Sequence, residues 1–234
     1  MSLSLHQIIY KTLKTSRKRK DDFLLALQFL LSGNKPAILF DFCSVTTSQL
    51  ENILEQAGLK ELVVVVKLLD DVILVDKRHD FESGYSPEFV DCSLRKGTPD
   101  LAGSQVCERY HVTFRKMLNL IREVGKTQTI VDLDSLCPGM CLTTIFGMFL
   151  QYPYVYYTED HGNCLAGVQL ILVELGSSID HLTDDVRANK TDKDTCYVFT
   201  TFSVPKSICH DEEALTSLPF YLKRQTVCLN SVAM

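Results

Sequence analysis

Thr129-Ile130-Val131-Asp132-Leu133-Asp134-Ser135, read beside the earlier Ala37-Ile38-Leu39-Phe40-Asp41-Phe42-Cys43-Ser44, decides the fold class. Both are apolar, β-rich runs ending in an aspartate, a bulky apolar residue, a small functional side chain and a serine. Such runs mark buried strands. Each would deliver its aspartate to the strand's carboxyl end, where open α/β sheets place ligand sites. The shared pattern predicts neighbouring strands that point the same way, with Asp41 and Asp132 on one edge.

Outward from these runs the pattern alternates. Leu3 to Leu13 and Asp22 to Leu31 carry apolar residues at helical spacing, giving an amino-terminal helical segment over 1–33 that Gly33 to Pro36 closes. Thr46 to Ala57 predicts a helix with Gly58 at its carboxyl cap. Leu62 to Leu68 and Val72 to Val75, split by Asp70-Asp71, predict an antiparallel hairpin. Residues 78–103 turn polar and collect Gly84, Pro87, Gly97, Pro99 and Gly103, the composition of a long loop that acts as a lid or is disordered.

Ser104 to Val124 repeats Val106, Tyr110, Phe114, Met117, Leu118 and Ile121 on one helical face, and Gly125 stops it. Pro138 is placed for the first turn of a helix running to about Leu150. Tyr154 to Thr158, Gly167 to Leu175 and Cys196 to Val204 read as strands, Asp180 to Asp194 as an exposed connection, Glu212 to Arg224 as a closing helix broken by Pro219, and 229–234 as a frayed tail. The expected architecture is a layered α/β fold in one domain, 1–234, with a mixed, mostly parallel sheet flanked by helices.

Composition bounds the function. The chain has 234 residues, 46% of them hydrophobic and 23% charged, in the range of an ordinary soluble globular protein. A net charge of −5 argues against broad nucleic-acid binding, which needs a basic face. The nine cysteines are scattered singly through apolar segments, which predicts reduced thiols in a cytoplasmic or nucleocytoplasmic protein, and the sequon Asn189-Lys190-Thr191 is then silent. Arg17-Lys18-Arg19-Lys20 before Phe23 to Leu31 mimics a signal peptide, but Asp21 and Asp22 interrupt it and no small-x-small cleavage pattern follows. The basic run has the composition of a nuclear-localisation patch, but short basic clusters are commonly just the solvated face between two helices. Nothing reaches the length of a membrane span.

Ile130 to Pro138, Tyr152-Pro153-Tyr154-Val155-Tyr156-Tyr157 and Cys164-Leu165-Ala166-Gly167-Val168-Gln169-Leu170 together resemble a eukaryotic family of unknown function, that of chromosome one open reading frame seventy-four. The likeness runs from about Ile38 to Phe202, and Gln169 stands where the family shows a proline. The resemblance implies an intracellular single-domain α/β protein and carries no catalytic residues with it.

Several constellations bear on chemistry. Asp132-Leu133-Asp134 is similar to the nucleophile and acid/base pair of haloacid-dehalogenase-type phosphatases, in which magnesium neutralises the phosphate. Asp41-Phe42-Cys43 is a half-match. Leu136 and the absence of the downstream lysine and acidic motifs depart from that pattern, and capping of the following helices or strand ends accounts for both aspartates more simply. Cys137, Cys141, His161 and Cys164 can be drawn as a zinc set, but buried thiols account for them. Cys107 with His111 and Cys209 with His210 lack any sign of a base oriented on a thiol. Gly162 to Gly167 has the spacing of a phosphate loop without its lysine. The tyrosines from Tyr152 to Tyr157 alternate as packed strand residues do.

Two functions therefore compete. The first is a non-enzymatic binding or interaction protein, needing an exposed patch for a protein or small-molecule partner, around the long loop or the amino-terminal helices, and no cofactor. The alternative is a magnesium-dependent phosphatase-like hydrolase in which Asp132, Asp134 and Asp41 converge.

Overall fold

The computed structural model describes residues 3–159, 164–178, 196–209, 215 and 221–228. Its helices are α1 (Leu5–Thr12), α2 (Arg17–Leu31), α3 (Thr47–Gln56), α4 (Ser104–Val124) and α5 (Leu142–Phe149); its strands are β1 (Ala37–Leu39), β2 (Val63–Leu68), β3 (Asp71–Asp76), β4 (Glu88–Asp91), β5 (Asp100–Leu101), β6 (Ile130–Asp132), β7 (Tyr154–Tyr157), β8 (Gln169–Ser178), β9 (Cys196–Pro205) and β10 (Tyr221–Cys228). They fall into two compact units, one of 1–86 with 104–151 and the other of 87–103 with 152–234.

The first unit holds a four-stranded sheet in the order β1-β3-β2-β6. Helix starts follow local caps. Ser4 and Gln7 form a capping box at α1, as Thr46 and Gln49 do at α3. Ser16 accepts from the Arg19 amide, so α2 begins at Arg17, five residues ahead of the apolar run that predicted it. The four valines Val63 to Val66 are wholly buried, as a central strand covered on both faces must be. Val63, Val65 and Leu74 pack with Ile8, Leu27 and Ile53 of α1 to α3. On α4 the buried stripe is Tyr110, Phe114, Met117, Leu118 and Ile121, the spacing the sequence shows.

The second unit holds two three-stranded sheets, β5-β4-β7 and β10-β8-β9. β8 pairs antiparallel with β9 and with β10, and β4 pairs parallel with β7. Ile171, Val173, Phe202, Val204, Cys209 and Leu215 make one of its apolar clusters.

The α/β class stands, but the sheet is not mostly parallel. Among the described residues only β2–β6 and β4–β7 are parallel pairings, because hairpins and antiparallel neighbours, not helical crossovers, make most of the connections. Residues 78–103 are not one structureless lid: β4, a 3-10 turn at Leu94–Lys96 and β5 lie inside them. Their strands are short and their long-range partner, β7, lies more than sixty residues on. The expected helix from Glu212 to Arg224 is overturned from Tyr221 onward. Those residues form β10, whose register against β8 runs through Leu172 and Leu170. The expected connection 180–194 and tail 229–234 lie outside the described residues.

Candidate functional site

β2 and β6 run parallel in the register Val65↔Ile130, Val66↔Val131, Lys67↔Asp132, so the two strands end side by side. After four buried valines, Lys67 is the first charged residue of β2, and its ammonium reaches across to β6. It donates to Asp132 Oδ2 at 3.0 Å and to Asp134 Oδ2 at 2.5 Å. The remaining oxygens are occupied by backbone: Asp132 Oδ1 accepts from the Asp134 amide at 2.9 Å, and Asp134 Oδ1 accepts from the Leu69 amide at 2.6 Å. All four carboxylate oxygens thus face a donor belonging to the protein.

The Leu69 bond explains a local anomaly. Leu69 and Asp70 form the two-residue loop between β2 and β3, and Leu69 has φ of 54°, a left-handed conformation that costs a non-glycine residue about 1 kcal/mol or more. Asp134 sits on the 3-10 turn Asp134–Leu136 immediately after β6 and fixes that amide from outside the hairpin. The two aspartates, the lysine and the turn form one clamp that ties the end of β6 to the β2–β3 hairpin.

Charge follows geometry. The Asp134 amide and then the Lys67 ammonium hold the Asp132 carboxyl below its ordinary value of 3.8, while bonds to Asp134 and then Asp132 raise the Lys67 ammonium above 10.5. A depressed folded-state carboxyl contributes stability that is complete above its unfolded value and lost as pH falls through the folded one. The Asp132 contribution is therefore expected intact at neutral pH and lost below about pH 4. Acid unfolding curves of wild type and Asp132→Asn should converge there; a difference that persists undiminished at still lower pH contradicts the clamp.

Asp41 is elsewhere. β1 and β6 do point the same way, but β3 and β2 lie between them, so the strands are opposite edges of the sheet and the expected shared acidic site does not form. A hairpin inserted between two similar strands is invisible in either strand's own sequence. Asp41 is exposed and acts electrostatically on Lys35, whose amine burial lowers to about 8 against the pull of that carboxylate.

The other constellations resolve structurally. Cys137 is buried, its thiol donates to the Leu133 carbonyl at 3.3 Å, and burial with Asp134 and Asp132 nearby pushes it up, away from a thiolate. Burial likewise raises the Cys107 thiol and lowers the His111 imidazole, the reverse of an activated ion pair. His161 and His210 lie outside the described residues, among which no three metal-binding side chains gather. Tyr156 donates to the Ser203 carbonyl at 2.9 Å and Tyr152 packs on Phe202, so both tyrosines belong to the packing of the second unit.

Two groups escaped the sequence reading. Lys67 was signalled only as a cation interrupting an apolar strand. The second is a buried latch at the carboxyl ends of β4 and β7, inside the stretch that composition marked as loop. Asp91 Oδ1 accepts from the Ser93 amide at 3.0 Å and hydroxyl at 2.6 Å, and the Ser93 oxygen accepts from the Glu159 amide at 3.0 Å. Arg95 pairs with Glu159, and Lys96 Nζ lies 3.9 Å from Asp91 Oδ2.

A family model described as Domain of unknown function (DUF4504) matches residues 5–218. The chain belongs to that family. The DUF4504 match takes in both units, from α1 past β9, and so includes the clamp, Asp41 and the Asp91 latch. Searches of curated proteins and of solved structures found no match.

Proposed function

We propose that this DUF4504 chain is a non-catalytic binding or interaction protein, and that Asp132 and Asp134 are structural. The observation that carries this is that each of the four carboxylate oxygens already accepts from Lys67 or a backbone amide. A magnesium site needs carboxylate oxygens turned toward a cation, and here a lysine occupies that place. The finer likeness to the family of chromosome one open reading frame seventy-four fits the same reading. Seven described cysteines are thiols, which supports a reducing, cytoplasmic or nucleocytoplasmic setting. Among the described residues no helix is long and apolar enough to cross a membrane.

The second reading, a magnesium-dependent phosphatase-like hydrolase using Asp132 and Asp134, draws on the same cluster: paired carboxylates and a lysine at the carboxyl ends of parallel strands. Asp41 has no part in it, because it stands at the far edge. Asp132→Asn separates the readings. The clamp predicts a loss of about 1 kcal/mol or less in a urea titration, the scale of a lost cap. The hydrolase predicts a gain in stability as repulsion between paired carboxylates is relieved, together with loss of phosphatase activity on a generic aryl phosphate.

A further inference from the structure

The strongest uncommitted feature lies where α1 meets α2. Residues 11–20 contain Lys11, Lys14, Arg17, Lys18, Arg19 and Lys20 and no acidic residue. The other 18 of the 24 cations stand against all 29 carboxylates, a balance of −11. A quarter of the chain's cations thus lie in ten consecutive residues at the junction of α1 and α2.

Asp21 and Asp22, next along α2, offset part of that charge. Lys20 is committed, donating to the Tyr10 carbonyl at 3.0 Å with its ammonium over the Tyr10 ring, and Arg17 lies 3.7 Å from Asp21 in an exposed pair. Lys11, Lys14, Lys18 and Arg19 are exposed and in no ion pair among the described residues. The scaffold beneath is fixed: Ile8, Ile9 and Leu13 from the α1 side and Phe23, Leu24 and Leu27 of α2 are buried in the apolar cluster of the first unit. Most of the larger apolar side chains of these helices are turned into that cluster, so the junction presents charge.

We propose that this corner docks a short acidic segment, rich in aspartate or glutamate, of a partner protein. The proposal rests on the interaction reading above and names the partner's chemistry. Charge complementarity selects the class: the exposed cations match the carboxylates of a short segment, whereas a net charge of −5 on the chain disfavours a bilayer or a long nucleic acid, polyanions that extend well beyond the Debye length of about 8 Å. The same geometry agrees with the solvated-face reading of Arg17 to Lys20, which are the first residues of a folded helix.

The test is fluorescence anisotropy of a labelled oligoglutamate peptide with the full chain. Lys14→Glu, Lys18→Glu and Arg19→Glu are combined in one variant; Arg115→Glu, Lys116→Glu and Lys126→Glu, exposed residues elsewhere in the first unit, make a control of equal charge change. Wild type and control should bind, with the corner variant weakened about tenfold or more and wild-type binding falling as salt rises from roughly 50 to roughly 300 mM. Acidic side chains in the first turn of a helix suit its dipole, so the corner variant should melt no lower than wild type. If it does melt lower, the single Lys18→Glu change supplies the comparison, and unaltered binding there overturns the proposal. Equal loss in the control, or no binding by wild type, also overturns it. So does tighter binding to vesicles of equal parts phosphatidylserine and phosphatidylcholine, or to a single-stranded oligonucleotide, that the corner variant abolishes. None of these outcomes touches the magnesium and stability behaviour of Asp132, so this proposal and the non-catalytic reading fail separately.

Discussion

Phe149→Ala is expected to lower the unfolding free energy by about 3–5 kcal/mol, the range for removing a fully buried aromatic ring. Phe149 is wholly buried at the end of α5, and its ring meets Phe114 of α4 at 4.9 Å and 74° and Phe81, beyond β3, at 6.0 Å and 81°. Phe81 and Phe114 meet each other edge to face at 6.1 Å. Three mutually perpendicular rings leave no slack for collapse, and each edge-to-face contact adds about 0.5–1.5 kcal/mol beyond area burial. The same helix pair holds the segment after the clamp, because the Tyr110 hydroxyl accepts from the Cys141 amide at 2.7 Å. Urea titration checks the value, with Phe149→Leu expected to lose less because it keeps part of the volume. A loss under about 1 kcal/mol for the alanine would mean the cluster is not packed as described.

Asp91→Ala is the second large effect, expected at about 2–4 kcal/mol. Asp91 is 5% exposed, and its Oδ1 is the acceptor for both the amide and the hydroxyl of a wholly buried serine. Deleting the carboxylate strands two donors away from water, each at a cost of about 1–3 kcal/mol, and frees the Ser93 oxygen that binds Glu159. Asp91→Asn keeps an acceptor on the same stem and should cost clearly less. If alanine and asparagine unfold at the same urea concentration, the latch contributes through charge alone and the hydrogen-bond account is wrong.

The fold was readable in the sequence where the information is local. The α4 stripe, the β2–β3 hairpin and the helix that Gly58 ends follow from spacing and side-chain chemistry within a few residues. Non-local choices were not readable. The common direction of β1 and β6 follows from their alike sequences, but their separation depends on which edge of each the hairpin occupies. β4 is four residues long and pairs with β7 across the whole of α4, β6 and α5, so the flanking Gly84, Pro87, Gly97 and Pro99 outweighed Phe89-Val90. Tyr221 to Cys228 carry weak helical and weak strand signals, and pairing with β8 settles them as strand.

The site was half legible for the same reason. Asp132 and Asp134 announced themselves by their spacing after a strand. Their partner did not, because Lys67 precedes them by 65 and 67 residues and meets Asp132 only through the parallel register. That partner turns a pattern resembling a metal-dependent nucleophile into a closed set of bonds. The Leu69 φ of 54° gives the set a mechanical role, since the Asp134 carboxylate holds the amide of a turn that the leucine side chain alone disfavours.

Isothermal titration of magnesium into wild type and Asp132→Asn tests the clamp most directly. The clamp predicts no saturable heat in either protein, because the carboxylate oxygens already face Lys67 and backbone amides. Saturable magnesium binding by the wild type that disappears in Asp132→Asn would contradict it and establish the aspartates as a metal site.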